Sequence, residues 1–410
     1  MAPSATQGAQ QHMTNWTSFE SFLKDALNTP IGSRQPLVEQ LLRQRANFPW
    51  IEHDTATFIF ARPGASRVAV NLDTIRRDPP FVPMENLAGT TLWYVSVKFK
   101  PDDLLDYMIV IDDPMTSVAR DSNIVARVNK YWHSDPYNPT KISTRQMSVS
   151  VLRMPEARPF PDWEKLHRVP HGRVDEHSVR SVQLNFGGRK CWVYTPPDYD
   201  SGYEPLPLIV LLDGEWTNGP MQANFVADAL IKHKAAAPAI LAMMQSGDQS
   251  TRDKNFLAND RHYQFLISEL LPFLQTEYRV DPEKIGIGGV GMGAVASAHA
   301  ALKNPAVFSR LIMLSPPLGE GKSAAELRQI ARRLDSAENL PERIFQSVGR
   351  YEGAARFVQP GRDLRALLNR RSSEMAYKYV EVGSGHSLVA FRSVLPEALA
   401  WVLPVDEAAR

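Results

Sequence analysis

A chain of 410 residues, 43% of them hydrophobic, is long enough for two or three domains with proper cores. Its 46 Lys and Arg balance 45 Asp and Glu to a net charge of +1, which excludes the basic excess of proteins that track phosphate backbones, so nucleic acid is not an expected partner. One cysteine, Cys191, excludes an intramolecular disulfide framework and a thiolate metal cage, and the composition permits a reducing cytoplasm.

The first fifteen residues are polar, without the basic-then-apolar layout of a secretion signal, and read as a disordered leader or a cloning remnant. No apolar run approaches the roughly 18 residues that span a bilayer, so no membrane association is expected. From Phe19 to Arg45, apolar residues recur at helical spacing and predict two short helices. Alternating β-branched and aromatic stretches follow at Thr57 to Ala61, Arg67 to Leu72, Leu92 to Phe99 and Tyr107 to Asp112, with the spacing of a small antiparallel sandwich. These residues, 16–154, form the expected N-terminal domain. Prolines at 155, 159, 161 and 170 mark a linker over 155–178.

From 179 to 410 the pattern becomes strand, loop, helix, strand. Arg189 to Thr195, Leu208 to Leu212, Ala239 to Met243, Ile285 to Gly288, Leu311 to Leu314, Ile344 to Ser347 and Tyr377 to Glu381 read as strands. Helices are expected at Met221 to Lys232, Tyr263 to Thr276, Ala294 to Lys303, Ala324 to Leu334 and Gly361 to Arg370, giving an α/β fold with a parallel sheet.

The glycine-dense turn after Ile285 admits three readings. As Gly286-x-Gly288-x-x-Gly291 it resembles a dinucleotide loop, but no acid stands at the end of the following strand to hold a ribose. As Gly289-Val290-Gly291-Met292-Gly293 it has the frame of a nucleophile elbow, Gly-x-Ser-x-Gly, with glycine where the serine belongs. It also reads as a tight turn without chemistry.

The rest of an acyl-transfer site follows in order. His386, in a loop after the last predicted strand, is the candidate general base. Glu352, after the strand Ile344 to Ser347, is the candidate acid that orients it, with Asp363 as the fallback. The loop carrying Glu215 and Trp216 offers one backbone oxyanion donor and Met292 the other. Ser297 and Ser315 are poor substitute nucleophiles, one in a helix beyond the elbow and one at a strand end beside two prolines. No metal site is expected: His-Glu-x-x-His is absent and Pro170 interrupts the pair His167 and His171.

With these motifs the chain resembles the enterochelin (ferric enterobactin) esterases over nearly its whole length. The likeness rests on Arg189 to Pro197, the turn ending at Trp216, Thr251 to Asn255, the elbow, the His386 loop, Thr57 to Asp112 and Asp135 to Pro139. It implies an α/β-hydrolase domain preceded by a small immunoglobulin-like β-sandwich, no cofactor, and cytoplasmic hydrolysis of ester bonds in a catecholate siderophore or related acyl ester, any iron entering with the ligand. It further implies Gly291 at the nucleophile position, His386 as base and Glu352 as acid, with Arg252 and Arg350 facing an anionic ligand. Two departures touch the pocket: active members carry serine at 291, and a Ser-Gly-aromatic run where this chain has Ser315-Pro-Pro-Leu318. The glycine therefore fits a pseudo-hydrolase that binds ligand without turnover, a chain altered to trap substrate, or direct activation of water by His386.

Overall fold

The computed structural model describes residues 15–75, 77–144, 147–158, 168–321 and 323–405. All but the last residue of the expected leader, His167, and residues 159–167 of the expected linker lie outside that set. The chain divides into two compact units, Met1–Pro101 with Tyr107–Lys141, and Asp102–Asp106 with Ile142–Arg410.

In the first unit, helices Phe19–Asn28 and Gln35–Gln44 turn Phe19, Phe22, Ala26, Val38 and Leu41 onto Phe48, Trp50, Ile59 and Leu92. Ser18 starts the first helix by accepting from the Ser21 N–H at 3.0 Å, while Ser21 closes a reciprocal capping box. Two antiparallel sheets follow. One runs in the order Trp50–Glu52, Thr55–Ala61, Leu92–Lys98, Glu85–Asn86; the other carries Phe81–Pro83, Val68–Leu72 and Leu104–Ile111 side by side.

The second unit is built on an eight-stranded sheet in the order Arg173–Ser181, Phe186–Thr195, Ile240–Met244, Leu206–Leu212, Val280–Val290, Phe308–Leu314, Arg343–Gly349, Ala376–Val382. The first two pairings are antiparallel and the remaining five parallel. Strand Leu206–Leu212 explains why both faces carry a core. Leu208, Val210 and Leu212 point into one apolar cluster, and Ile209 and Leu211 into another. Helices cover both faces, which makes this an α/β-hydrolase-like fold.

Three elements depart from the pattern read in the sequence. Residues 173–178, assigned to the linker, begin the edge strand Arg173–Ser181. Arg173, Asp175, Glu176 and His177 keep that edge polar, which suppresses the apolar alternation and blunts further pairing. The expected helix Tyr263 to Thr276 starts at Asp260, widens by a π-turn at Leu266–Leu270 and continues over Leu271–Glu277. Pro272 has no N–H to offer the preceding turn, and the widened turn accommodates that loss. Helix Leu388–Val402 is absent from the expected elements because Val389 to Leu395 are buried all round and leave no amphipathic period. Among the described residues, no helix is long and apolar enough to cross a membrane.

His262 shows how closely this unit is packed. Its ring lies among Phe256 and Phe265, and burial, aided by the charges of His299 and Arg189, pushes its pKa down to about 3. The folded state holds it neutral while the unfolded chain binds its proton near pH 6.5. Its contribution is therefore complete above that pH and is lost as pH falls toward 3, at up to about 1.4 kcal/mol per pH unit. Urea midpoints measured from pH 7 to pH 5 should fall, and fall less steeply in His262→Leu; equal slopes would refute the assignment.

Candidate active site

Strand Val280–Val290 ends at Gly291, whose N–H makes a last ladder bond to Leu314 O at 2.8 Å before helix Met292–Lys303 begins. The reversal needs φ 57° and ψ −117° at Gly291, a region that side chains enter only under strain. Strand and helix pass so close that a Cβ on Gly289 would lie 2.6 Å from the Gly293 carbonyl carbon. The outer glycines of the elbow frame thus have a steric role independent of the central residue. Ser297 Oγ donates to Gly293 O at 2.8 Å inside the helix, and Ser315 is buried at the end of strand Phe308–Leu314.

Glu352 and His386 reach this elbow from two other loops. Glu352 follows strand Arg343–Gly349, its side chain fully buried, with Oε2 accepting from the Gly349 N–H at 3.0 Å. Its Oε1 lies 2.6 Å from His386 Nδ1. A carboxylate accepts hydrogen bonds, so Nδ1 carries the proton and Nε2 presents its lone pair. Phe357 and Phe391 flank the imidazole with ring centroids at 4.8 and 5.0 Å, fixing its plane. A Cβ built on Gly291 would stand 3.7 Å from both Cε1 and Nε2 of His386. Asp363, the fallback acid, is exposed and bonds Gln359 on its own helix.

The cleft beside the imidazole has a volume of about 420 Å³, and its wall includes Asp213, Glu215, Trp216, Arg252, Val290 and His386. Arg252 lies in this wall, but its guanidinium forks onto Asp213 at 2.7 and 2.6 Å and reaches Val290 O at 3.3 Å. Burial pulls its pKa down, and the hydrogen bonds and charge of Asp213 outweigh that and raise it. Glu215 accepts from the Ser246 N–H and hydroxyl at 3.2 and 2.7 Å. The Trp216 N–H donates to Asp213 O at 2.8 Å, whereas Glu215 and Met292 stand in the first turns of their helices, where N–H groups have no partner inside the helix. His171, the described member of the histidine pair, bonds Asp228 at 2.9 Å. Among the described residues no group of three or more His, Cys, Asp or Glu side chains is arranged to hold a metal ion.

Arg350 does not line the cleft. It pairs with Asp102 and, at 3.3 Å, with Asp103, and these hydrogen bonds raise its pKa. Tyr351 donates to both Asp103 oxygens at 3.0 and 2.8 Å, and the Leu104 N–H donates to Gly383 O at 2.8 Å. Buried Asp103 thereby ties the turn before Glu352 to the loop before His386. No local pattern announces this brace, because its members lie 248 positions apart in the chain. Asp103→Ala should lower stability by about 3 kcal/mol, since it strips a buried carboxylate from Tyr351 and Arg350. The His386 Nδ1 proton resonance should also broaden or shift; an unchanged urea midpoint and resonance would contradict the brace.

Comparison with known proteins agrees with this architecture. Residues 187–402, more than half of the chain, match the model of the family described as "Putative esterase". The iron(III) enterobactin esterase of Escherichia coli is 24% identical over 331 residues, 77% of this chain and 80% of that protein. That of Dickeya dadantii is 24% identical over 366 residues, 79% of this chain and 80% of that protein. The ferric enterobactin esterase structure from Salmonella typhimurium superposes with a TM-score of 0.72 at 21% identity, covering 89% of this chain and 98% of that one. The enterobactin esterase of Shigella flexneri, crystallised in the presence of enterobactin, gives 0.70 at 22% identity, covering 85% of this chain and 92% of that one. The chain belongs to this esterase family.

Proposed function

We propose that this protein binds a carboxylic ester of the catecholate-siderophore class, or a related acyl ester, in the cleft beside His386, and that Gly291 closes the acyl-enzyme route its relatives' name implies. The carrying observation is the elbow itself. Gly291 has the backbone of a nucleophile turn, and its Cβ direction leads to His386 Nε2 at 3.7 Å. A serine hydroxyl, one bond further out, comes within hydrogen-bonding reach of that nitrogen.

In this reading His386 is the base, Glu352 orients it and holds the imidazolium, and the Met292 and Glu215 N–H groups receive the oxyanion. Trp216 contributes its ring to the cleft wall, since its N–H is engaged by Asp213. Arg252 acts by holding Asp213 and the end of the elbow strand, and Arg350 by holding Asp102 and Asp103. The enterobactin named in the relatives' descriptions supports the substrate class. The two antiparallel sheets of the first unit support the reading of residues 16–154 as a β-sandwich domain, with 179–410 carrying the chemistry, and the family setting implies cytoplasmic iron release.

The test compares the protein with Gly291→Ser on a p-nitrophenyl ester and on a ferric catecholate siderophore. Losing the nucleophile of a serine triad costs about 10⁶ in kcat, so the serine variant should gain at least about 100-fold, and His386→Ala in that background should abolish the gain. Serine at φ 57° should lower stability by about 1–3 kcal/mol in urea unfolding. Equal turnover by both chains would overturn the assignment of position 291.

A further inference from the structure

Resting on that ester-binding reading, we infer that the room left by Gly291 is an acceptor site for a small hydroxyl compound, and that the protein transfers acyl groups from bound esters to short-chain alcohols, or more slowly to water.

Leaving out its chain neighbours, the only atoms of the described residues within 4 Å of a Cβ built on Gly291 are Cε1 and Nε2 of His386. The wall that His386 shares with Val290, Leu388 and Phe391 is apolar, so it suits the alkyl group of an alcohol while the hydroxyl meets the imidazole. The base is preset for this task, because the Glu352 contact at 2.6 Å keeps the proton on Nδ1 and the lone pair on Nε2. The cleft's own hydroxyls point elsewhere. Ser246 donates to Glu215 at 2.7 Å and Thr217 to Asp213 O at 3.4 Å. An acyl acceptor has to come from outside the chain.

The step balances without a further reagent. As the alcohol oxygen attacks the ester carbonyl carbon, its proton passes to His386 Nε2 and the carbonyl π pair moves to oxygen, facing the Met292 and Glu215 N–H groups. The pair then returns, the bond to the original alkoxy group breaks, and that group leaves with the proton held by His386. One ester and one alcohol become a new ester and a new alcohol; with water in place of the alcohol the product is the acid. Because the acceptor is untethered, the advantage of a covalently held hydroxyl is missing, and the rate stays within the residual range of about 10³ to 10⁴ over the free reaction.

The full chain is incubated with the ethyl ester of N-benzoylserine and increasing methanol, and formation of the methyl ester is followed by NMR. An alkyl ester is chosen because its poor leaving group does not acylate an imidazole directly. Methyl ester should form at least about tenfold faster than in enzyme-free buffer. His386→Ala should return the rate to that background, and Gly291→Ala, whose methyl group fills the room, should lower it strongly. The enhancement over the free reaction should also shrink from methanol to isopropanol in the unmodified protein, a test that needs no variant to fold. Formation of methyl ester that is independent of His386, or an equal enhancement with isopropanol, would overturn the inference. Calorimetric titration with the ethylamide of N-benzoylserine separates the two layers. Binding without methyl ester overturns alcoholysis and leaves the ester-binding reading standing; no binding overturns both.

Discussion

Everything at this site depends on the backbone reversal at residue 291, where a parallel strand must become a helix within one peptide while its N–H still pairs with Leu314 O. The positive φ this demands is costly for any residue with a Cβ and nearly free for glycine. Natural elbows tolerate the strain because it lifts a hydroxyl clear of the sheet. Here glycine takes that backbone without the strain, and the steric demands on its neighbours are present all the same. Gly289 still has no room for a side chain against Gly293, and Gly293 would bring one to 3.1 Å of Asp213 Oδ2. The architecture of the turn is therefore set by helix–strand approach, whatever residue stands at 291.

The histidine side of the site is held by a different device. Glu352 is fully buried, and a buried carboxylate is tolerable only when its oxygens are met. One oxygen takes the imidazole and the other the Gly349 N–H, so contacts that solvate the charge also aim the imidazole. Asp103 repeats the arrangement one layer further back, its oxygens taking Tyr351 and Arg350. These carboxylates can keep the loop geometry whether or not a nucleophile stands opposite. The Glu352–His386 pair is thus held by contacts that do not involve Gly291.

How much of this was legible in the chain follows from which interactions are local. The parallel strands were readable because a strand buried on both faces, such as Leu208 to Leu212, must be continuously apolar. The elbow was readable because steric crowding writes itself as adjacent glycines. The Glu352–His386 pair was readable only as order along the chain, loop after strand, which left Asp363 as a fallback that the contact between Glu352 and the ring makes unnecessary. What escaped had no local signal. The edge strand Arg173–Ser181 is polar because it is an edge, helix Leu388–Val402 lacks a polar stripe because it is enclosed, and the Asp103 brace joins segments that the sequence holds far apart.

Charge in the cleft bears on what it can hold. The family resemblance implies that Arg252 faces an anionic ligand, but a guanidinium forked onto a carboxylate at 2.6 to 2.7 Å presents a neutral pair to its surroundings. With Asp213 so matched, Glu215 is the remaining carboxylate in the cleft wall, and its oxygens already accept from Ser246. Attraction for an anion is then left to the N–H groups at the two helix starts, which act over a short range and favour an oxygen carrying partial charge. Those donors match a carbonyl on its way to an oxyanion better than they match a full negative charge, and Trp216, Met221, Leu388 and Phe391 supply apolar contact for the rest of the molecule. The described cleft is thus suited to the ester group and an adjoining apolar portion of a ligand, and a strongly anionic portion would have to be held elsewhere.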